Sequence, residues 1–228
     1  MFRFLSILAL IVGCAKKQSA VISTNNTIVV PKTYLALGDS YTIGQGVAAS
    51  DRFPAQTADW LKLKGITIST LNYIATTGWT TTNLQNAINT QNPSPHDVVS
   101  LLIGVNDQYQ TRDTTGYRQR FSQLLQKSIE LARGKKENVV VLSIPDYSVT
   151  PFASGADSSR IRREIDWFNT INKSVTLSNN ISYLEITTST REARNNPTLI
   201  ASDGLHPSGL EYKKWAERLG LLFELALK

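Results

Sequence analysis

A histidine and an aspartate that lie close together in the sequence form the first candidate for chemistry. The chain contains two histidines, and His206 follows Asp203 by three residues in the segment DGLHP. A carboxylate at this spacing can hold one ring nitrogen, fix the tautomer and stabilise the imidazolium that forms when the other nitrogen takes a proton. Pro207 favours an extended backbone at His206, which keeps that residue off the following helix. The pair therefore predicts a general base for a hydroxyl nucleophile.

Three further segments supply a candidate nucleophile and hydrogen-bond donors. Ser40 lies in LALGDSYTIGQG, where a predicted strand gives way to a glycine-rich turn, so we expect its backbone N–H to be free to donate. Gly78 has no side chain, so its N–H can approach a ligand closely. Asn106, in GVND, carries an amide donor. Two N–H groups and one amide can form an oxyanion hole, in which one donor typically lowers the barrier by about 3–4 kcal/mol.

Strand and helix patterns alternate five times after residue 32. Short apolar runs predict strands at 33–37, 66–74, 97–103, 138–144 and 181–186. Apolar residues at helical spacing predict helices at 53–64, 80–90, 117–133, 158–177 and 208–227. Ser208 and Glu211 have the spacing of a capping box at the start of the last helix. This alternation is typical of a parallel sheet with helices on both faces, whose chemistry lies outside the carboxyl ends of the strands.

The four segments stand at three strand ends and before the last helix, and together they resemble the four sequence blocks of the SGNH hydrolases, or GDSL esterase/lipase family. In family order these are GDS at Ser40, the lone Gly78, G-x-N-D over 104–107 and D-x-x-H over 203–206. The resemblance covers approximately residues 34–215, which is essentially the whole predicted domain.

The resemblance implies a flavodoxin-like three-layer α/β/α sandwich with a five-stranded parallel sheet. It also implies ester hydrolysis without a metal or an organic cofactor. Carried onto this sequence, it assigns Ser40 as the nucleophile and His206 and Asp203 as its triad partners. The oxyanion-hole donors it implies are Ser40, Gly78 and Asn106.

Other residues near the four blocks have less specific roles. Trp79 and Tyr109 flank two of the oxyanion donors and are candidates for lining the substrate pocket, although loop aromatics also simply cover sheet edges. We interpret Asp39 and Asp107 as residues that hydrogen-bond within their loops. His96 follows Pro93 and Pro95, away from every block, and is expected on a surface loop.

The first fourteen residues are not expected to belong to the fold. Arg3 precedes the apolar segment 4–12, which has the length of a signal-peptide core and is too short to cross a bilayer. Residues 11–14 resemble a bacterial lipobox, in which the peptidase cuts before a cysteine that carries diacylglycerol. We therefore predict a signal peptide at 1–13, a lipidated Cys14 and tether at 14–32, and the hydrolase domain at 33–228. The alternative is a plain secretory signal with an incidental cysteine.

Composition excludes several classes of protein. Hydrophobic residues make up 41% and charged residues 18%, which suits a globular core and argues against disorder or a coiled coil. The single cysteine allows no intrachain disulfide. The formal net charge is +6, but no long block of like charge occurs, so we interpret the charge as diffuse and expect no nucleic-acid partner. The expected location is a bacterial cell envelope, with the protein on the membrane through its lipid.

The substrate is the least determined feature. Short loops and the absence of a visible lid favour small acyl groups on carbohydrate or other soluble esters, whereas a lysophospholipase or thioesterase is the enzymatic alternative. A non-catalytic glycan-binding lipoprotein on the same fold would be expected to lack Ser40 or His206, and both are present. A nucleotide binder would need a phosphate-binding loop after the first strand, and the glycines of 38–46 match neither common spacing.

Overall fold

Five parallel strands form the central sheet of the computed structural model, which describes residues 30–228. The strands are β1 (Lys32–Gly38), β2 (Ile68–Ala75), β3 (Val98–Leu102), β4 (Val139–Leu142) and β5 (Ser182–Leu184). Their order across the sheet is β2-β1-β3-β4-β5, and every neighbouring pair is parallel. The chain steps to one side from β1 to β2 and then returns to the other side at β3. The carboxyl ends of β1 and β3 therefore flank the switch point at which ligands bind in such sheets.

Helices cover both faces of the sheet. They are α1 (Ser40–Ile43), α2 (Phe53–Leu63), α3 (Thr81–Gln91), α4 (Val105–Thr111), α5 (Tyr117–Leu131), α6 (Ser158–Ser178), α7 (Thr187–Thr190) and α8 (Gly209–Leu227). Helix α2 packs on α8 in one layer, and α5 packs on α3 and α6 in the other. The middle strands are apolar because both of their faces are covered, and all five residues of β3 are buried. The predicted three-layer α/β/α fold is confirmed.

The last two strands are shorter than the apolar runs predicted. The Ser143 N–H still donates to the Leu184 carbonyl of β5 (3.0 Å), but at Ile144 the backbone pairs with a side chain instead. The Ile144 N–H donates to Asn169 Oδ1 (2.7 Å) and the Ile144 carbonyl accepts from Asn169 Nδ2 (3.0 Å). The Thr187 hydroxyl also donates to that carbonyl (2.8 Å). Backbone pairing with β5 therefore ends at Ser143, and Ile144 is buried beyond the last pair.

Two local predictions were wrong. Neither bond of a capping box forms at the start of α8: the Ser208 side chain makes no capping bond, and the Ser208 N–H donates to the Leu199 carbonyl (2.8 Å). Glu211 Oε1 accepts instead from Trp215 Nε1 (2.8 Å) and Ser189 Oγ (2.6 Å). His96 is buried and not on the surface, with Nε2 3.0 Å from the Asn72 amide. Burial lowers the pKa of His96, which favours a neutral ring that packs and hydrogen-bonds.

The amino-terminal predictions fall outside the described residues, including the signal peptide, Cys14 and all but the last residues of the tether. The first strand begins at Lys32, one residue before the predicted start. Among residues 30–228, no helix has the length and apolar character needed to cross a membrane.

Candidate active site

Ser40 lies at the carboxyl end of β1, as the first residue of α1. Asp39 is the N-cap of that helix, and its Oδ1 accepts a hydrogen bond from the Tyr41 N–H (3.0 Å). The first N–H groups of a helix have no acceptor within the helix, so the Ser40 N–H is available to a ligand. Gly38 allows this tight turn, because a Cβ there would collide with the Thr42 hydroxyl and the Leu102 carbonyl. The expected loop role of Asp39 is confirmed.

His206 connects Ser40 to Asp203. The distance from His206 Nδ1 to Asp203 Oδ2 is 2.7 Å, and that from Nε2 to Ser40 Oγ is 2.9 Å. An ionised carboxylate only accepts, so Nδ1 carries the proton and Nε2 presents its lone pair to the serine hydroxyl. This is the arrangement in which a serine hydroxyl can pass its proton to an imidazole.

The loop before α8 holds the aspartate as an anion. Asp203 Oδ1 accepts from the backbone N–H groups of Leu205 (2.9 Å) and His206 (3.0 Å). Partial burial raises the pKa of Asp203, but these two hydrogen bonds and the contact with the His206 ring outweigh it and hold the pKa below its ordinary value. On its other side the His206 ring packs against the Tyr41 ring, with centroids 4.9 Å apart. The imidazole is therefore held from two directions.

Asn106 lies in the first turn of α4, directly after β3, and its amide is oriented by the loop that contains Gly78. Asn106 Nδ2 donates to the Trp79 carbonyl (3.0 Å). Since a carbonyl can only accept, this contact places the amide nitrogen toward Trp79 and leaves its second N–H for a ligand. Gly78 has a φ of +81°, a conformation that L side chains rarely adopt. A Cβ at Gly78 would meet nothing within 4 Å, so backbone conformation and not crowding favours glycine here.

Asp107 connects the segment that contains Asn106 to the segment that follows Gly78. Its carboxylate accepts from the Thr81 N–H (2.8 Å) and hydroxyl (2.6 Å) and lies 3.5 Å from the Arg120 guanidinium. Burial raises the pKa of Asp107, although the Thr81 and Arg120 contacts oppose the shift. Gln110 Nε2 adds a bond to the Gly78 carbonyl (2.9 Å). The expected structural role of Asp107 is confirmed, and α4 is tied to the start of α3.

A cavity of about 90 Å³ opens beside the serine. Its apolar wall includes three aromatic rings, Tyr109, Tyr147 and Phe152, whose centroids are 6.0–6.2 Å apart. The residues that line it are Ser40, Tyr41, Val105, Asn106, Tyr109, Tyr147, Phe152, Leu205 and His206. Ser40, Asn106 and His206 thus share one cavity, and Tyr109 lines it as expected. Gly78, Trp79 and Asp203 are not among the lining residues.

Comparison with known proteins identifies the family. The model of the GDSL-like Lipase/Acylhydrolase family matches residues 36–214, a span that contains all four blocks. The chain belongs to this family. No curated protein is significantly similar to it in sequence.

Solved structures of lipolytic proteins and of an esterase share the fold at low identity. A putative lipolytic protein of the G-D-S-L family from Desulfitobacterium hafniense has 18% identity and a TM-score of 0.63, covering 84% of this chain and 99% of its own. A lipase/acylhydrolase from Enterococcus faecalis has 19% identity and a TM-score of 0.60, covering 86% and 95%. The acetylxylan esterase Axe2 from Geobacillus stearothermophilus has 20% identity and a TM-score of 0.62, covering 84% and 94%. Each similarity supports the fold.

Sequence reasoning missed most of the cavity wall of this GDSL-like hydrolase. Tyr147 and Phe152 lie on short 3₁₀ turns between β4 and α6, a segment without helical or strand periodicity. Tyr147 is fixed by its hydroxyl, which donates to Gln108 Oε1 (3.0 Å). The available signal was position alone, since both residues follow the carboxyl end of a parallel strand, where sites of this fold are built.

Proposed function

We propose that this GDSL-like hydrolase is a serine esterase that cleaves carboxylic esters of short acyl groups through an acyl-enzyme. The observation that carries the proposal is the continuous contact from Asp203 through His206 to Ser40 at the edge of a small apolar cavity. A buried serine hydroxyl on an imidazole acceptor, with a carboxylate on the opposite ring nitrogen, is the geometry of an activated nucleophile.

In the proposed reaction, Ser40 Oγ attacks the ester carbonyl carbon while His206 Nε2 takes its proton. The tetrahedral intermediate collapses when His206 returns that proton to the leaving alkoxide, which departs as an alcohol and leaves the acyl group on Ser40. A water molecule then repeats the sequence, releasing the carboxylic acid and restoring the serine. Asp203 stabilises the imidazolium in both halves and remains ionised, consistent with its lowered pKa.

The developing oxyanion is assigned to three donors, the backbone N–H groups of Ser40 and Gly78 and the Asn106 amide. The Ser40 N–H is free at a helix start, and the second Asn106 N–H remains after the bond to Trp79. Donors fixed before reaction need no reorganisation as charge forms, which is why they stabilise a transition state so effectively.

The cavity supports a short acyl group. At about 90 Å³ it lies well below the roughly 300–1,000 Å³ of sites that enclose a drug-sized ligand. No charged carboxylate, lysine or arginine is among its lining residues in the described chain, so an uncharged acyl group fits. Axe2 is described as an acetylxylan esterase. For this chain we propose a preference for acetyl esters, or similarly small esters, on carbohydrate. A lysophospholipase or thioesterase would need room for a long acyl chain.

A chain-length series of 4-nitrophenyl esters tests the proposed function. We expect kcat/KM to be highest for acetate and propionate and to fall at longer chains, because the rings limit the acyl site. Phe152→Ala should extend activity to butyrate and hexanoate, whereas Trp167→Ala, an equally exposed aromatic on α6, should leave the series unchanged. Hydrolysis of acetylated xylan tests whether the protein accepts an acetyl ester on carbohydrate. Highest activity on long acyl chains would contradict the short-acyl proposal, and no hydrolysis of any ester would contradict esterase function.

A further inference from the structure

Five lysines lie together at one end of the molecule. Each long helix runs antiparallel to the strands, so the loops that follow helices lie at the amino ends of the strands. The basic end is defined here by five lysines in these positions, Lys32 at the start of β1, Lys62 and Lys64 at the end of α2, and Lys135 and Lys136 before β4. All except Lys32, which is half-buried, are exposed.

These lysines lack compensating carboxylates. None of the five takes part in the ion pairs formed within residues 30–228. Three acidic residues at the same end pair with other basic residues, Asp97 with Arg133 (3.6 Å), Glu130 with Lys127 (3.0 Å) and Glu224 with Lys228 (2.5 Å). Glu137 is in none of the ion pairs within residues 30–228.

Stabilisation of helix dipoles does not account for the cluster. A basic side chain in the last turn of a helix interacts favourably with the dipole. Of the five lysines, Lys62 alone occupies such a position, and α3, α5, α6 and α8 have no basic residue in their last turns. Lys64 is the residue that follows α2, Lys135 and Lys136 lie in the connection before β4, and Lys32 is the first residue of β1.

Exposed leucines lie among the lysines. Helices α2 and α8 run side by side in the same direction, since Thr57 approaches the Ala216 carbonyl (3.5 Å) and Gly220 lies beneath the Trp60 ring. Their last turns therefore end together, and each carries a prominent leucine there, Leu63 at 83% exposure and Leu225 at 78%. The short turn that contains Lys136 contacts α8 as well. Basic and apolar side chains on one surface are the combination that binds anionic bilayers.

The position of the amino-terminal segment also favours a membrane at this end of the molecule. Residues 1–29 join the domain at this end through β1, and their sequence holds the apolar segment 4–12, Cys14 and two further lysines, Lys16 and Lys17. The candidate active site lies at the opposite end of β1, which at about 3.3 Å per residue is about 20 Å away.

We propose that the basic end is a docking surface for an anionic phospholipid bilayer, and that docking orients the active-site cavity away from the lipid. Each lysine near such a surface contributes about fivefold to the partition coefficient, and the contribution falls with ionic strength. The orientation presents the cavity to esters that arrive from the aqueous side.

Vesicle co-sedimentation of the full chain in a Cys14→Ser background tests the surface without the lipid. The test variant is Lys62→Gln/Lys64→Gln/Lys135→Gln/Lys136→Gln. The matched control, Arg118→Gln/Arg162→Gln/Arg163→Gln/Lys213→Gln, removes the same charge from exposed positions near the starts of α5, α6 and α8. The vesicles are phosphatidylcholine with or without about 30% phosphatidylglycerol, since only the latter carries the surface charge that lysines recognise.

On phosphatidylglycerol vesicles we expect the test variant to lose on the order of 10²–10³-fold in partition coefficient and the control less than about fivefold. The difference should disappear at high salt, and both variants should keep activity on a soluble ester. Equal losses in both variants would show that net charge alone matters and would overturn the proposal. So would unchanged binding of the test variant, or a loss of the same size on phosphatidylcholine alone.

Discussion

At the residue scale, each reacting side chain is held in place by a neighbour that does not itself react. The Asp203 carboxylate contacts His206 through both the ring and the backbone, and the Trp79 carbonyl fixes the amide of Asn106. Such support matters because a misplacement of about 1 Å costs on the order of 10²-fold in rate.

Asn106→Ala should lower kcat by on the order of 10²–10³ and leave KM nearly unchanged, because the amide is proposed to meet charge that exists only in the transition state. Steady-state kinetics on 4-nitrophenyl acetate give both constants. Asn89→Ala, which removes an exposed amide from α3, should behave as wild type. A rise in KM with kcat unchanged would make Asn106 a substrate-binding residue instead of an oxyanion donor.

Asp39 should make the folded protein less stable as pH rises. Burial raises the pKa of Asp39 to about 8, the Tyr41 N–H opposes the shift and Asp107 adds to it. The folded state therefore holds this proton more tightly than the unfolded chain, and the free energy of unfolding falls between about pH 4 and pH 8. Asp39→Asn mimics the protonated form, so its stability relative to wild type should increase from pH 5 to pH 8 in urea unfolding. A constant difference would contradict the assignment.

At the element scale, close contact between α2 and α8 sets the packing of one face. A Cβ at Gly220 would lie 2.8 Å from Trp60 Cδ2 and closer still to Cε3, which belong to a rigid ring. Helix propensity alone predicts that Gly220→Ala stabilises α8 by about 1 kcal/mol. We expect the opposite, a loss of about 1–3 kcal/mol from overpacking, in thermal or urea unfolding. Leu221→Ala, at a half-exposed neighbour, should change stability much less, and a stabilised Gly220→Ala would contradict the packing.

The elements were largely predictable because strands and helices bury apolar residues with different periods. The layers, the parallel sheet and the positions of the four blocks follow from that pattern. Side-chain pairing across the fold was not predictable, as with Asn169, which ends the ladder of β4, or Glu211, which bonds to Trp215 instead of capping α8. The burial of His96 depends on a contact with Asn72, 24 residues away. The aromatic wall lies on turns without periodicity, so only three-dimensional position identifies it.

At the scale of the whole molecule, the sheet separates the candidate active site from the proposed membrane-docking surface. The candidate active site lies at the carboxyl ends of β1 and β3, and the proposed membrane contacts lie at the amino ends. The predicted lipid on Cys14 would join the second end through the tether, so anchoring and catalysis need not compete for the same surface.

Cys14→Ser should release the protein from membranes after a high-salt wash, since several acyl chains anchor firmly and electrostatic contact is screened by salt. Fractionation of cells that express each form measures the release. Wild type should stay with the membrane under the same wash. A Cys14→Ser protein that resisted both salt and carbonate would indicate an uncleaved signal segment as the anchor.

The central claim, that Ser40 carries the acyl group, is tested most directly by trapping the intermediate. Rapid acid quench of the enzyme with 4-nitrophenyl acetate, followed by peptide mass spectrometry, should find one acetyl group on the peptide that contains Ser40. Ser40→Ala should show no adduct and lose nearly all activity while unfolding at the same urea concentration as wild type. An acetyl group on another residue, or turnover by Ser40→Ala within about tenfold of wild type, would contradict the account.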